Sequence, residues 1–339
     1  MNEIQNSNNL NPDKYQKKLL LSIIIPCYNE EEVLPIFIET IKPVCEELCS
    51  RENSPCDTEL IFIDDGSSDN TLPYLRNCRN NDKRIRYVSF SKNFGKEAAI
   101  LAGLKEAKGN YSVLIDADLQ HPPTLIPKMY DELINGNYDS VAMFRDERKK
   151  EGFFRRHFSS FFYKILNRLS KLNLKNGATD FRIMTKQMVS AVISLPESNR
   201  FSKGIFNWIG FNTKWLAFET GKRPAGKSKW SSGKLVSYSF DAILSFSEVP
   251  LKLCSWMGIL FCILSFVLGI YHLVKTLLFG DPVAGFPTLY LMMLLMGGIM
   301  LLFLGIIGQY LARIYLEIKK RPAYIIKETE TNTDDNDIS

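Results

Sequence analysis

Asp116 and Asp118 stand one residue apart at the end of the apolar run Val113-Leu114-Ile115, and Leu119-Gln120-His121-Pro122-Pro123 follows them. The double proline blocks continuation of a strand, so both carboxylates lie where the strand breaks into a turn. Carboxylates are hard oxygen donors. One or two of them suit a Mg²⁺ or Mn²⁺ ion whose shell is completed by phosphate oxygens, and disfavour zinc. A solvated, Asp-rich turn after a buried strand has the same composition, so the elements around the pair must decide between the two readings.

Those elements repeat one pattern. Leu19-Leu20-Leu21-Ser22-Ile23-Ile24-Ile25-Pro26 is a continuous apolar run, as expected of a strand buried on both faces. It leads into Cys27-Tyr28-Asn29-Glu30-Glu31-Glu32 and a helical stretch through Leu48. Leu60-Ile61-Phe62-Ile63 ends in Asp64-Asp65-Gly66-Ser67-Ser68-Asp69-Asn70-Thr71, where Asp64 and Asp69 suit the capping of the turn and the next helix. Ile85-Arg86-Tyr87-Val88-Ser89-Phe90 precedes Ser91-Lys92-Asn93-Phe94-Gly95-Lys96-Glu97 and a helix carrying Ala98, Ala99, Ala102 and Ala107. The strand ending at Asp116 is the fourth, and Ser140-Val141-Ala142-Met143-Phe144 the fifth. Strands alternating with helices imply βαβ units and an open parallel sheet. Ligands in such sheets sit beyond the carboxyl ends of the strands, where each of these runs turns polar.

Taken together, these motifs resemble the family 2 glycosyltransferases, which have the GT-A nucleotide-sugar-binding fold. Ile25-Pro26-Cys27-Tyr28-Asn29-Glu30 is similar to the family's opening signature, Asp64-Asp65-Gly66-Ser67-Ser68-Asp69 to its second, and Asp116-Ala117-Asp118 to its metal-binding D-x-D. The extension Leu119-Gln120-His121-Pro122-Pro123 narrows the resemblance to the polyprenyl-phosphate branch, which includes dolichol-phosphate mannose synthases and bacterial undecaprenyl-phosphate glucosyltransferases. The resemblance spans roughly residues 20 to 320.

It implies an α/β GT-A domain that transfers a hexose from a UDP-sugar, glucose first and N-acetylglucosamine second, to the phosphate of undecaprenyl phosphate. Mg²⁺ or Mn²⁺ would be held by Asp116, Asp118 and Gln120. Asp65 would meet uracil or ribose, Pro26, Tyr28 and Glu30 would shape the base pocket, and Lys96 and Asp116 would complete the donor site. Lipid-phosphate contacts map onto Arg145, Arg155 and Ser159, with Arg156 or Ser160 as one-residue alternatives. Arg223, Ser228 and Lys229 lie in a Gly- and Lys-rich loop similar to the family's acceptor lid. Asp180 and Arg182 form the family's Asp-x-Arg. A polyprenyl phosphate is already ionised at neutral pH, so Asp180 is expected to orient substrate rather than remove a proton. In-line attack would invert the anomeric centre.

Composition fits an enzyme joined to a membrane: 339 residues, 45% apolar, with the apolar residues concentrated late. The boundaries read as a disordered tail over 1–18, a catalytic domain over 19–235 and an interfacial amphipathic segment over 236–250. Transmembrane helices follow at 251–279 and 286–314, then a tail over 315–339. Each apolar stretch exceeds the ~20 residues that cross a bilayer. Lys252, Arg313, Lys319, Lys320 and Arg321 flank them while the short connection has no basic residue, which places the catalytic domain and tail in the cytoplasm, and the resemblance implies a multi-pass enzyme of the bacterial plasma membrane. Seven cysteines without metal-type pairing read as reduced thiols, and three histidines as too sparse for a zinc site. A net charge of +5 with no recognition motif argues against nucleic acid. Expected partners are the UDP-sugar, the lipid acceptor, further copies of the chain, a separate flippase and a downstream glycosyltransferase. Two other readings share these features. A processive polysaccharide synthase would carry Q-x-x-R-W and more spans; a non-catalytic membrane scaffold would be free to lose Asp65, Asp116, Asp118, Arg145 and Asp180.

Overall fold

Runs of β-branched residues bounded by polar turns build the centre of the molecule. The computed structural model describes residues 19–51, 55–145, 175, 177–197, 200–218, 249–279 and 286–330. Its strands are β1 (Leu19–Cys27), β2 (Cys56–Asp64), β3 (Ile85–Phe90), β4 (Tyr111–Leu114), β5 (Ser140–Arg145), β6 (Ala178–Thr185), β7 (Thr213–Phe218) and β8 (Ile326–Thr329). They form one sheet in the order β7-β5-β6-β4-β1-β2-β3-β8. The helices are α1 (Leu34–Cys49), α2 (Thr71–Asn81), α3 (Lys96–Glu106), α4 (Ile126–Asn135), α5 (Lys186–Ser194), α6 (Ser202–Trp208), α7 (Val249–Phe279) and α8 (Phe286–Ile318).

The sheet is buried on both faces, as the unbroken apolar runs require. Ile23 and Ile25 pack with Phe37 of α1 and Met129 of α4, while Ile24 points the other way to meet Ile100 of α3, Met188 of α5 and Ile205 of α6. Alanines 98, 99 and 102 of α3 let that helix lie close over Ile61, Ile63 and Val88.

The expected all-parallel sheet is corrected to a mixed one. Strands β1 to β4 pair in parallel, and β5 pairs in parallel with β7. By contrast β6 runs antiparallel between β4 and β5, and β8 antiparallel along β3. The reason for β6 lies at its start. Gly177, at φ 75°, accepts a hydrogen bond from Arg145 N at 2.9 Å, so β6 starts beside the end of β5. A strand that starts beside the end of the strand it pairs with runs antiparallel to it.

Strand β8 lies within the stretch read as a tail. It is fastened by charge: Arg86 of β3 donates to Glu330 at 2.7 Å, Glu59 at 3.0 Å and Glu106 at 3.0 Å, and Glu59 and Glu330 are buried. Arg76 adds a bond to Glu328 at 2.7 Å. The chain that leaves the sheet after β7 therefore returns to it after α8. Helices α7 and α8 occupy the two late apolar stretches and expose large side chains, Trp256, Phe266 and Leu277 at 70%, 71% and 76% among them. Among the described residues, one segment, Leu295–Ile318, has the length and composition to cross a membrane.

Removing the guanidinium of Arg86 takes the cation away from the buried carboxylates of Glu59 and Glu330, which keep hydrogen bonds to Ser22 Oγ, Lys108 N and Tyr87 N. Arg86→Ala should destabilise the protein by about 3–5 kcal/mol in urea unfolding, whereas Arg84→Ala, at the more exposed pair with Asp82, should cost below about 1 kcal/mol. Equal losses would refute the hub role of Arg86.

Candidate active site

The turns after β1 and β2 are laced together by their own polar residues. Asn29, at φ 52°, donates its N–H to Ser67 Oγ at 2.9 Å and accepts Ser68 N–H at 2.8 Å. Glu30 N donates to Thr71 Oγ1 at 2.9 Å, and Asp65 N to Cys27 O at 2.9 Å. Asp64 accepts from Ser67 N and Ser89 Oγ, and Asp69 from Thr71 N, the turn-holding roles their positions suggest. Pro26, Tyr28 and Glu30 lie along this edge, with Tyr28 exposed.

Asp65 reaches the next loop. Its carboxylate is buried and accepts the N–H groups of Phe94 at 2.6 Å and Gly95 at 2.9 Å. Burial raises its carboxyl above the ordinary value, and these backbone bonds oppose the rise. Gly66 makes the approach possible: it sits at φ 67°, and a Cβ there would collide with the backbone of Lys92. In this geometry Asp65 holds the loop that delivers Lys96, and a contact to uracil or ribose has to be made beside those bonds.

Lys96 opens α3 and joins two acidic residues from separate strands. Its ammonium lies 2.7 Å from Asp116 Oδ1 and 2.9 Å from Asp180 Oδ2. Burial would lower its pKa, but the two carboxylates hold it above the usual lysine range. Burial would raise both carboxyls; Lys96 outweighs it, so Asp116 and Asp180 titrate below the ordinary value. A depressed carboxyl stabilises the fold above its unfolded pKa and loses that contribution only as pH falls through the folded value. The ion triad is therefore intact at neutral and mildly acidic pH.

Strand β4 stops at Leu114, and the D-x-D occupies the turn beyond it. Leu119 adopts φ 56°, a left-handed conformation uncommon for leucine. This turn gathers Asp116, Asp118 and His121, whose ligand atoms lie within 4.8 Å of one another. His121 is buried between the rings of Phe181 and Phe218. Neither of its ring nitrogens has a hydrogen-bond partner, and Nδ1 faces Asp116 Oδ2 at 3.7 Å. Burial lowers its pKa, which keeps the imidazole neutral and able to ligate. A buried imidazole with orphaned nitrogens beside two carboxylates fits a divalent cation. Gln120, expected as the third ligand, accepts a hydrogen bond from Arg145 Nη2 at 3.1 Å and so ties the turn to the end of β5. His121 went unassigned in the sequence although it stands three residues after Asp118; its signal was position, and only the turn reveals it.

Arg182 is buried below Asp180 on the same face of β6. Its guanidinium stacks over Phe206 at 3.9 Å, and burial lowers its pKa to about 10. It supports Asp180 electrostatically from beneath. Lys203 of α6 was also unassigned, and its charge adds to the field that depresses Asp180. The neighbouring Ser202 is anchored through its N–H to Glu97 at 2.9 Å. Arg155, Ser159 and their alternatives Arg156 and Ser160 lie outside the described residues, as do Arg223, Ser228 and Lys229.

Metal binding gives a direct check. Titration of Mn²⁺ followed by electron paramagnetic resonance should show affinity falling about tenfold or more in Asp118→Ala and in His121→Ala, a ligand-shell magnitude. Wild-type affinity in His121→Ala would remove His121 from the site.

Comparison with known proteins agrees with this geometry. The model of glycosyl transferase family 2 matches residues 22–193. The putative glycosyltransferase CsbB of Bacillus subtilis is 43% identical over 312 residues, covering 92% of each chain. The SfII prophage-derived bactoprenol glucosyl transferase of Shigella flexneri is 37% identical over 309 residues, 91% of this chain and 98% of that one. A prophage bactoprenol glucosyl transferase homolog of Escherichia coli is 36% identical over 310 residues, 91% and 99% of the two chains. Matched along half its length by the family model and along nearly all of it by these relatives, the chain belongs to glycosyl transferase family 2.

Proposed function

We propose that the protein transfers glucose from UDP-glucose to undecaprenyl phosphate, giving the β-linked lipid-phosphate sugar used to modify a cell-envelope glycan. The observation that carries this reading is the end-to-end match, at 37% identity, to a protein named as a bactoprenol glucosyl transferase. The site supplies the chemistry. The donor diphosphate lies at the edge built from the β1, β2 and β4 turns. Asp116, Asp118 and His121, with Gln120 nearby, would hold Mg²⁺ or Mn²⁺, which would supply positive charge against the leaving diphosphate. Arg145, hydrogen-bonded to Gln120, brings the acceptor phosphate against that centre, and Arg155, Ser159, Arg223 and Lys229 complete its binding.

A phosphate oxygen attacks C1, the C1–oxygen bond to UDP breaks, and the electron pair leaves with UDP. No proton has to move, because the second pKa of a phosphate monoester is about 6. Asp180, held ionised by Lys96, orients the sugar and is a poor proton acceptor.

Membrane placement follows the same reading. Strand β8 belongs to the sheet that the chain left after β7, so any crossing by α8 requires a return crossing, which α7 offers. This pairing supports two spans, a catalytic domain and C-terminus on the cytoplasmic face, and a short loop across the bacterial plasma membrane. Two spans are too few for a lipid-translocating path, so a flippase and a second transferase act afterwards, and self-association through the small residues of α8 is expected. Native mass spectrometry from mild detergent checks the last point.

Incubation of the full-length protein with undecaprenyl phosphate and radiolabelled UDP- or GDP-sugars should give butanol-extractable product from UDP-glucose. EDTA or Asp118→Ala should abolish it. No product from any donor would overturn the assignment. Asp180→Asn should lower kcat on the order of tenfold to a hundredfold while leaving the acidic limb of the pH–rate profile in place; loss of that limb would make Asp180 a general base.

A further inference from the structure

The C-terminal strand touches the donor side of the site through one aromatic residue. Tyr324 lies between the end of α8 and β8, and its ring stacks on Phe90 at 4.8 Å with the planes 13° apart. Phe90 in turn meets Phe94 edge-on at 5.8 Å. Ser91 N donates to Ile325 O at 2.9 Å, so the backbone beside Tyr324 also grips the start of the loop from 91 to 95. The far end of that loop is held by Asp65 through the N–H groups of Phe94 and Gly95, and Lys96 follows directly. Lys92 and Lys105 lie over the rings of Phe94 and Tyr324 at 5.1 and 5.6 Å, closing the stack on both sides.

We propose that Tyr324 is a positioning residue for the donor site. Its stack on Phe90, which in turn meets Phe94, fixes the loop that presents Lys96 to Asp116 and Asp180, and it couples the seating of α8 to donor binding. The proposal rests on the glucosyl-transfer reading for its kinetic consequence but not for its structural one. The loop is anchored at its tip by one carboxylate and at its base by one strand edge. Without the ring, Phe90 loses an apolar partner, its contact with Phe94 loosens and the Asp65 bonds open more often. The strand edge itself survives, because Arg86 and Arg76 hold β8 through Glu330 and Glu328.

Hydrogen exchange and kinetics on the full chain separate these contributions. In Tyr324→Ala, the Phe94 and Gly95 amides should exchange about tenfold faster, while the Asp65 amide, bonded to Cys27 O, keeps its wild-type rate. The KM for UDP-glucose should rise on the order of tenfold with kcat within about twofold, the pattern of a binding loss shared by ground and transition states. Tyr324→Phe should restore both. Tyr324→Leu keeps apolar bulk without a ring, carries the same expectation, and replaces the alanine variant if that one fails to fold. Arg76→Ala loosens the other end of β8 and should leave the two amides and the KM unchanged. Wild-type exchange at Phe94 and Gly95 in Tyr324→Ala or Tyr324→Leu, failure of Tyr324→Phe to restore it, or the same effect from Arg76→Ala would overturn the proposal. Absence of transfer in the wild type would instead sink the glucosyl-transfer reading, and the exchange arm would still decide the positioning role.

Discussion

Two carboxylates from different strands, Asp116 beyond β4 and Asp180 on β6, are held at one ammonium group, and the arrangement of the site follows from that ion triad. Like charges brought this close repel strongly where water is scarce. Lys96 removes the penalty, and it can do so only because three separate elements deliver their side chains to one point. That requirement explains features that look unrelated in the chain: a glycine with no room for a Cβ at position 66, a buried carboxylate at 65 holding backbone N–H groups, and a strand inserted against the direction of its neighbours. Strand β6 carries Asp180 beside β4 because it pairs antiparallel with both β4 and β5. A parallel β6 would have carried Asp180 to the opposite end of the sheet, away from Asp116.

The same triad shapes the chemistry. A site that must deprotonate an alcohol needs a base whose pKa is tuned upward, towards the working pH. Here the arrangement runs the other way: Asp116 and Asp180 are driven further into the ionised form, and the imidazole of His121 beside them is kept neutral. Such groups hold charge and bind cations; they do not shuttle protons. An acceptor that arrives already ionised matches that design, and a lipid phosphate is such an acceptor.

Much of this was legible in the residues. The first five strands, the polar turns at their ends and the D-x-D could be read because buried parallel strands write continuous apolar runs and because carboxylates at a strand end have few structural uses. Strands β6, β7 and β8 were harder for a physical reason. Ala178-Thr179-Asp180-Phe181-Arg182 alternates polar with apolar and carries charges inward, since its partners are other charges at the site. Ile326–Thr329 is four residues long and owes its place to Arg86 and Arg76, more than two hundred residues earlier. No local pattern announces a strand whose stability is supplied by a distant guanidinium. His121 escaped for a related reason: a lone histidine has no spacing to read, and its meaning appears only when Leu119 turns the chain back on itself.

The C-terminal strand also changes how the two long helices are to be understood. Had the chain ended after α8, that helix could have been an anchor loosely tethered to a self-sufficient domain. Instead, its continuation supplies the last strand of the catalytic sheet, buries Glu330 against Arg86 and lays Tyr324 on the loop before Lys96. The domain therefore cannot complete its own edge without the polypeptide that comes back from α8. An enzyme whose acceptor is dissolved in a bilayer must keep its site at a fixed height and tilt over the surface. A helix whose far end re-enters the sheet as β8 is held to the catalytic domain more firmly than one joined by a single loose tether.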